Sequence, residues 1–391
     1  MKLSRTSPAY DSHVKNDAAF GTKNGWLRVD YFKTNTELGD REREPLGPIE
    51  AIWSAAIEAE HRSVREQVGL FDLTSFGKIR VTGGGAAAFL EGLCSNRVNR
   101  GPGCLTYTQM LNDTGGVISD VTVAQTNETS FLVITGTSAL ERDLAWLESH
   151  NSLNVDVFIS DETSSWACFG VWGPRTREVL APLVATQLDS ESFPYMSCQE
   201  TFLSDVPIRM SRVTFVGELG WELYVPSEYG RAVWEVLSTA VLGLGGLQCG
   251  YRAIDSLRCE KGYLYLGAEL GPDRTPAESG VGKFVKSDPH FIGRSALEAS
   301  ADAPEQLAAL TLDEFWYQLQ GGEEVSSNGA LAGAITSGGL GFTICKAVGF
   351  AFLPQSFKSG DSLTVRIDGI EHPATIVEQP LYDPTGSRIR A

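Results

Sequence analysis

Metal-ligand spacing is missing from this chain. Its five histidines (His13, His61, His150, His290 and His372) stand apart from one another, and its seven cysteines (Cys94, Cys104, Cys168, Cys198, Cys249, Cys259 and Cys345) include no Cys-x-x-Cys pair. That pattern argues against a zinc or haem site, and the odd number of lone thiols points to a reducing compartment. Long apolar runs are missing too: the nearest approach, 232–247, is interrupted by Glu235 and three glycines, so no membrane span is expected. The first residues, Met1-Lys-Leu-Ser-Arg-Thr-Ser-Pro8, lack the hydrophobic core of a signal peptide, and a cytoplasmic protein is expected. Positive charge is in short supply, with 32 Lys and Arg against 49 Asp and Glu, a net of −17. Such a surface repels phosphate backbones and anionic lipids, which excludes nucleic acid and membranes as natural partners.

What is present is enough apolar residue for several cores: 42% of 391 residues, a length that suggests two or three domains. A duplication organises the first two. The pattern Val81-x-Gly83-x-x-Ala86-x-x-Phe89-Leu90-x-x-Leu93 returns ninety residues later as Val171-x-Gly173-x-x-Thr176-x-x-Val179-Leu180-x-x-Leu183, and residues 131–147 match 221–237 at the same offset. The first copy reads as a strand at 77–82, a helix at 85–94, strands at 106–111, 117–124 and 130–135, and a helix at 138–149 opened by a Ser138–Glu141 capping box. This β-α-β-β-α character is ferredoxin-like, an α+β unit whose helices cover one face of an antiparallel sheet, and two such units commonly leave a ligand cleft between them. Past a helix at about 251–262, short strands separated by Gly321-Gly322, Asn328-Gly329, 337–341 and Asp368-Gly369 predict a small β-barrel. The expected boundaries are an irregular N-terminal arm at 1–50 ending in the charged run Asp40-Arg-Glu-Arg-Glu-Pro45, repeats at 51–160 and 161–303, and the barrel at 304–391.

Three groups of residues invite chemistry. Asp120 sits in Val117-Ile-Ser-Asp-Val-Thr-Val-Ala124, where alternation sets it with Ile118, Thr122 and Ala124 on one face and Ser119, Val121 and Val123 on the other. A carboxylate within an apolar strand needs either a partner or a task; a capped turn, a buried salt bridge and catalysis are all open. The turn and strand 213–224 carry Glu218 and Glu222, and the helix after them packs Arg252, Asp255, Arg258 and Glu260 into two turns. These charges would suit a polar heterocycle or a surface salt-bridge lattice. Glu218, lying in the turn, reads as an exposed carboxylate. The glycines of Gly83-Gly-Gly-Ala-Ala-Ala88 mimic a dinucleotide loop, but no acid follows at the end of a second strand and the repeat copy has Gly173-Pro174-Arg175, so a tight turn is expected.

The order of several segments resembles the tetrahydrofolate-binding family of the glycine-cleavage T-protein, and within it the folate-binding half of dimethylglycine and sarcosine dehydrogenases. They are Gly25 to Phe32, Leu70-Phe-Asp-Leu-Thr-Ser-Phe-Gly-Lys78, Tyr107-Thr-Gln-Met-Leu-Asn112, Gly115-Gly-Val-Ile-Ser-Asp120, 213–224, 250–269, Phe291-Ile-Gly-Arg294, Ile335-Thr-Ser-Gly-Gly-Leu-Gly341 and Pro380-Leu-Tyr-Asp-Pro-Thr-Gly-Ser-Arg388. The resemblance implies two repeats around a central folate cleft closed by the barrel. It places Asp120 beside the reacting nitrogens of tetrahydrofolate, although the family's T-proteins have two adjoining acids where this chain has Ser119 before Asp120. It puts Glu222 on the pterin's donor edge, Tyr107 near the folate, Arg252 and Arg258 on pterin or tail, and Tyr382 and Arg388 in the closing motif.

On this basis the chain is expected to be a tetrahydrofolate-dependent transferase. It would demethylate a small methylated donor, most naturally an N-methyl amine, and form 5-methyl- or 5,10-methylene-tetrahydrofolate. Positioning supplies most of the rate of such a transfer, so one carboxylate suffices. Two alternatives stand beside this: a folate-loading subunit serving a separate flavin chain, and a folate-binding protein without transferase chemistry. Relatives of the last kind carry Lys-Gly-Cys-Tyr-x-Gly-Gln-Glu, whereas Lys261-Gly262 is followed here by Tyr263.

Overall fold

The repeat offset survives in three dimensions. A computed structural model describes residues 4–40, 53–151, 156–286, 290–299, 303–314 and 316–391. The first sheet runs, edge to edge, Leu105–Leu111, Val117–Asn127, Ser130–Thr135, Gly77–Thr82, Phe158–Asp161. The second runs Cys198–Leu203, Val206–Ser211, Gly220–Pro226, Trp166–Trp172, then Gly69–Asp72 and Leu247–Cys249. Strand for strand the orders agree, except that Gly69–Asp72 inserts before the last strand and pairs with it in parallel. Each unit therefore has three strands between its helices and a further strand after them.

Period-2 patterning sorts the faces. In Val117–Asn127, Ser119, Val121 and Val123 are buried, the valines packing on Phe89, Leu90 and Leu93 of helix Ala86–Leu93 and on Leu140 and Leu147 of helix Leu140–His150. Ile118, Asp120 and Thr122 are half-buried on the opposite face. In Gly220–Pro226, Trp221, Leu223 and Val225 join Trp234, Leu237 and Val241 of helix Gly230–Gly243, which leaves Glu222 and Tyr224 on the opposite face, where Tyr224 packs with Val64 and with Ile254 and Leu257 of the helix at 251–261. The two sheets meet edge to edge: Leu105 N donates to Met196 O (3.0 Å) and Cys198 N to Gly103 O (2.7 Å).

Gly83 marks the turn before helix Ala86–Leu93. It has φ +118°, and a Cβ there would lie 2.1 Å from the Asp156 carbonyl. Asp156 also takes the Gly84 N–H at 2.8 Å, so this is a tight structural turn. The next helix differs from expectation. It starts at Leu140 with Ala139 at its N-cap and no side-chain cap, because the Gly136–Ala139 backbone turn (Ala139 N to Gly136 O, 2.9 Å) already shapes the entry, so the Ser138–Glu141 box is not formed.

The described part of the N-terminal arm is not irregular. Helix Tyr10–Lys15 precedes a hairpin of Ala18–Lys23 and Trp26–Phe32, turned by Asn24 and Gly25, both with positive φ. Asn-Gly is the strongest short hairpin signal, and here it sets the right-handed twist of the ribbon. Glu60, on helix Ala55–Glu66, accepts from Phe32 N (2.7 Å) and Gly250 N (2.8 Å) and so fastens the arm to the start of helix Tyr251–Lys261. The charged run beyond Asp40 lies outside the described residues.

Six strands from Glu305–Leu312 to Ile370–Val377 close into a barrel. Its strand Ala330–Gly341 lies against helix Tyr251–Lys261, where a Cβ on Gly339 would stand 3.2 Å from Cys259 Sγ. The missing side chain is what lets strand and helix approach so closely.

Candidate functional site

Register brings Tyr107, Gln109 and Asp120 onto one helix-free face, since Tyr107 pairs with Thr122 and Gln109 with Asp120 across neighbouring strands. The Tyr107 hydroxyl donates to Asp120 Oδ2 at 3.2 Å, and its ring packs edge-on against Phe284. Burial pushes the Asp120 carboxyl up to about 6, with Tyr107 opposing the rise and the Asp143 carboxylate adding to it. Such a group is mostly ionised at neutral pH yet still able to take up a proton. Gln109 had not been singled out from the sequence. Its Oε1 accepts from Ser95 Oγ (3.2 Å), and its side-chain amide faces the Tyr107 hydroxyl. Strand alternation from Tyr107 would have found it.

Glu222 belongs to the second sheet. Its Oε2 accepts from Tyr224 Oη at 2.6 Å, and burial raises its carboxyl to about 7 against the stabilising effects of Tyr224 and the Lys78 ammonium. Lys78, from the first sheet, is fully buried; its Nζ donates to Thr74 O (2.8 Å) and burial lowers it to about 8 despite Cys168, Asp72 and Glu222 nearby. No hydrogen bond or ion pair joins Asp120 to Glu222 among the described residues.

The two arginines of helix Tyr251–Lys261 part company. Arg258 is enclosed: its guanidinium donates to Ser337 Oγ (2.9 Å) and Tyr263 O (3.1 Å), lies 3.6 Å from Glu269, and stacks on Tyr265. Glu269, equally buried, also accepts from Thr336 and Ser337 of the barrel. Arg258 thus ties helix, loop and barrel together and offers a ligand little. Arg252 is half-buried between Asp30 (3.4 Å) and Asp255 (3.7 Å). It borders a cavity lined also by Trp53, Asp255, Ser256 and Phe342, and that lining includes neither Asp120 nor Glu222.

Glu218 is not an exposed turn residue. It is 1% exposed, because Arg65 reaches it from helix Ala55–Glu66 (3.0 Å) while also pairing with Glu260 (3.0 Å) and donating to Val216 O (2.7 Å). Tyr382 covers that guanidinium at 3.9 Å and hydrogen-bonds to Glu218. The closing motif is held by Lys261 on Asp383 (2.9 Å), and Asp383 in turn accepts from Arg388 N (3.1 Å). Tyr382 therefore meets Glu218 and Arg65 and Arg388 is tied through its backbone to Asp383, while Tyr107 and Asp120 form a separate pair. Among the described residues no group of three or more His, Cys, Asp or Glu side chains could hold a metal ion.

Comparisons with known proteins cover nearly the whole chain. Residues 9–289 match the GCVT N-terminal domain and residues 306–383 the glycine cleavage T-protein C-terminal barrel domain. The mitochondrial dimethylglycine dehydrogenase of Rattus norvegicus is 32% identical over 86% of this chain and 40% of its own length. The aminomethyltransferase of Thermotoga sp. (strain RQ2) is 32% identical over 91% of this chain and 97% of its own. A 4-methylaminobutanoate oxidase (formaldehyde-forming) of Paenarthrobacter nicotinovorans is 31% identical over 99% of this chain and 47% of its own. The chain thus spans less than half of the dehydrogenase and oxidase and almost all of the aminomethyltransferase. In structure, the glycine cleavage system aminomethyltransferase T from Bartonella henselae shares the fold with a TM-score of 0.82 at 23% identity, covering 97% of this chain and 98% of that one.

Proposed function

This chain belongs to the aminomethyltransferase family of glycine-cleavage T-proteins, and on that premise we propose that it transfers a one-carbon unit from a small methylated donor to tetrahydrofolate. Family membership carries enzymatic, folate-dependent one-carbon chemistry. The observation that carries the proposal is the Tyr107–Asp120 pair, a carboxylate raised to about 6 on the sheet face turned away from helices Ala86–Leu93 and Leu140–His150, with Gln109 as its register partner.

The residues present suit tetrahydrofolate. An aminopyrimidinone shows donors on one edge and acceptors elsewhere. Glu222 has one oxygen engaged by Tyr224, and Tyr107 and Gln109 flank Asp120 on the other sheet. Bound tetrahydrofolate would supply the nucleophilic ring nitrogen. Glu222 would accept from its donor edge in a paired contact. Tyr107 holds Asp120 Oδ2, which leaves Oδ1 to take up a proton or offset positive charge on the reacting centre. Arg258 would act indirectly, by fixing helix Tyr251–Lys261 against the barrel.

An N-methyl amine is the donor we favour, supported by relatives named for dimethylglycine and 4-methylaminobutanoate. Direct methyl transfer conserves oxidation level and gives 5-methyl-tetrahydrofolate. The 5,10-methylene product requires a donor already oxidised by two electrons, a formaldehyde-level iminium. That distinction supports a second reading, a folate-loading partner of a separate flavin chain, because the chain spans only 40–47% of the dehydrogenase and oxidase relatives.

Purified protein incubated with tetrahydrofolate and a panel of methylated amines, sulfonium compounds and methyl ethers, followed by mass spectrometry of the folate, tests both. Methylated folate from an amine alone supports direct transfer. Methylene-folate formed faster than in enzyme-free controls, and only when a flavin amine oxidase generates the iminium, supports the partner reading. Binding of tetrahydrofolate without product in either format would leave a folate-binding protein.

A further inference from the structure

Behind Asp120, on the far face of the same strand, lies a second carboxylate from a different element. Ser119 points away from the open face and donates to Asp143 Oδ2 at 2.6 Å; Thr135, two strands over from Tyr107, donates to the same oxygen at 2.5 Å. Asp143 is fully buried in the first turn of helix Leu140–His150, where the helix N-terminus favours an anion. Its other oxygen receives Arg142 at 2.8 and 3.1 Å, and the Arg142 side chain is 47% exposed. Two strands and a helix are thus tied to one buried acid immediately behind the site.

We propose that Asp143, reaching in from the helix, serves Asp120 as a positioning residue. Ser119 is the link. Tethered at 119, the strand cannot rotate or slip, so residue 120 is held facing the open side. The same acid acts on Asp120 through the sheet: its charge disfavours ionisation of Asp120 while that of Arg142 favours it, with Asp143 the larger of the two. The other groups facing Asp120 are Tyr107, which donates to it, and Gln109, its register partner.

The inference rests on the one-carbon transfer reading for its purpose, but its test does not require turnover. The Asp120 carboxyl carbon, identified by its loss in Asp120→Asn, is followed by carbon NMR across pH in the full chain. Asp143→Asn is expected to move the Asp120 midpoint to lower pH than in the wild type, and Arg142→Gln to move it to higher pH. The acid limb of transfer should move in the same two directions. Unchanged midpoints in both variants would overturn the proposal. If Asp143→Asn does not fold, Ser119→Ala, which cuts the tether and leaves both charges in place, decides alone: a moved Asp120 carboxyl resonance supports the proposal and an unmoved one overturns it. Shifted midpoints with no folate product from any protein would defeat the transfer reading and leave the Asp143 coupling standing.

Discussion

At the scale of single residues, Asp120 and Glu222 carry opposite burdens. On the proposed function Asp120 is the group with a proton to exchange, so Asp120→Asn should keep the shape, leave folate affinity within a few-fold, and slow single-turnover transfer by roughly 10²-fold or more. The pH sign follows from burial. The active form is the carboxylate, its folded midpoint is raised to about 6, and transfer is therefore lost as pH falls through about 6 and level above it. A profile flat from pH 5 to 8 would remove Asp120 from the chemistry. Glu222→Gln is expected to weaken tetrahydrofolate binding by about 1.5–3 kcal/mol, the worth of a hydrogen bond to a charged group. Glu218→Gln should act elsewhere: with Arg65 at 3.0 Å and Tyr382 against it, the variant loses melting temperature and keeps folate affinity. Calorimetric titration and thermal melts on the same two proteins separate the effects, and equal losses of affinity would sink the assignment of Glu222.

At the scale of elements, helix Tyr251–Lys261 is the joint of the molecule. It ends where Gly262 turns left-handed (φ +69°), takes Glu60 at its first N–H groups through Gly250, and meets the barrel through Arg258, Glu269 and Ser337. A buried ion pair adds little over well-packed apolar residues, but stripping one partner leaves an unpaired charge inside. Arg258→Ala should accordingly cost about 3–5 kcal/mol in urea denaturation, far more than a ligand-contact arginine at a surface. A loss below about 1 kcal/mol, within the range of exposed pairs, would show that the guanidinium is free for a ligand after all.

For the whole molecule, the consequence of a shared site is linkage. Tetrahydrofolate that binds only the folded chain at about a hundred times its dissociation constant raises unfolding free energy by ~2.7 kcal/mol. If the ligand touches both repeats, as Asp120 on one sheet and Glu222 on the other require, the shift should appear in a single transition covering units and barrel alike. A melting curve unmoved by saturating tetrahydrofolate would remove the functional reading entirely.

Local periodicity determined much of this from sequence alone. The ninety-residue offset, the alternation that faces Asp120 away from Val121 and Val123, the turn at Gly83 and the glycine-separated strands of the barrel all depend on neighbours within a few residues, whose geometry is the same wherever they occur. Even the N-terminal hairpin, in an arm expected to be irregular, is signalled by Asn24-Gly25. Partnership was decided only by the tertiary structure. Glu218 is buried because Arg65 arrives from far upstream, Arg258 is consumed by Glu269 and by Ser337 of the barrel, and Asp143 reaches Ser119 from a helix two elements later. A charge shows its sign in the sequence, but its burial and its pairing depend on which distant segments the packed sheets bring within about 3 Å, and no spacing along the chain encodes that distance.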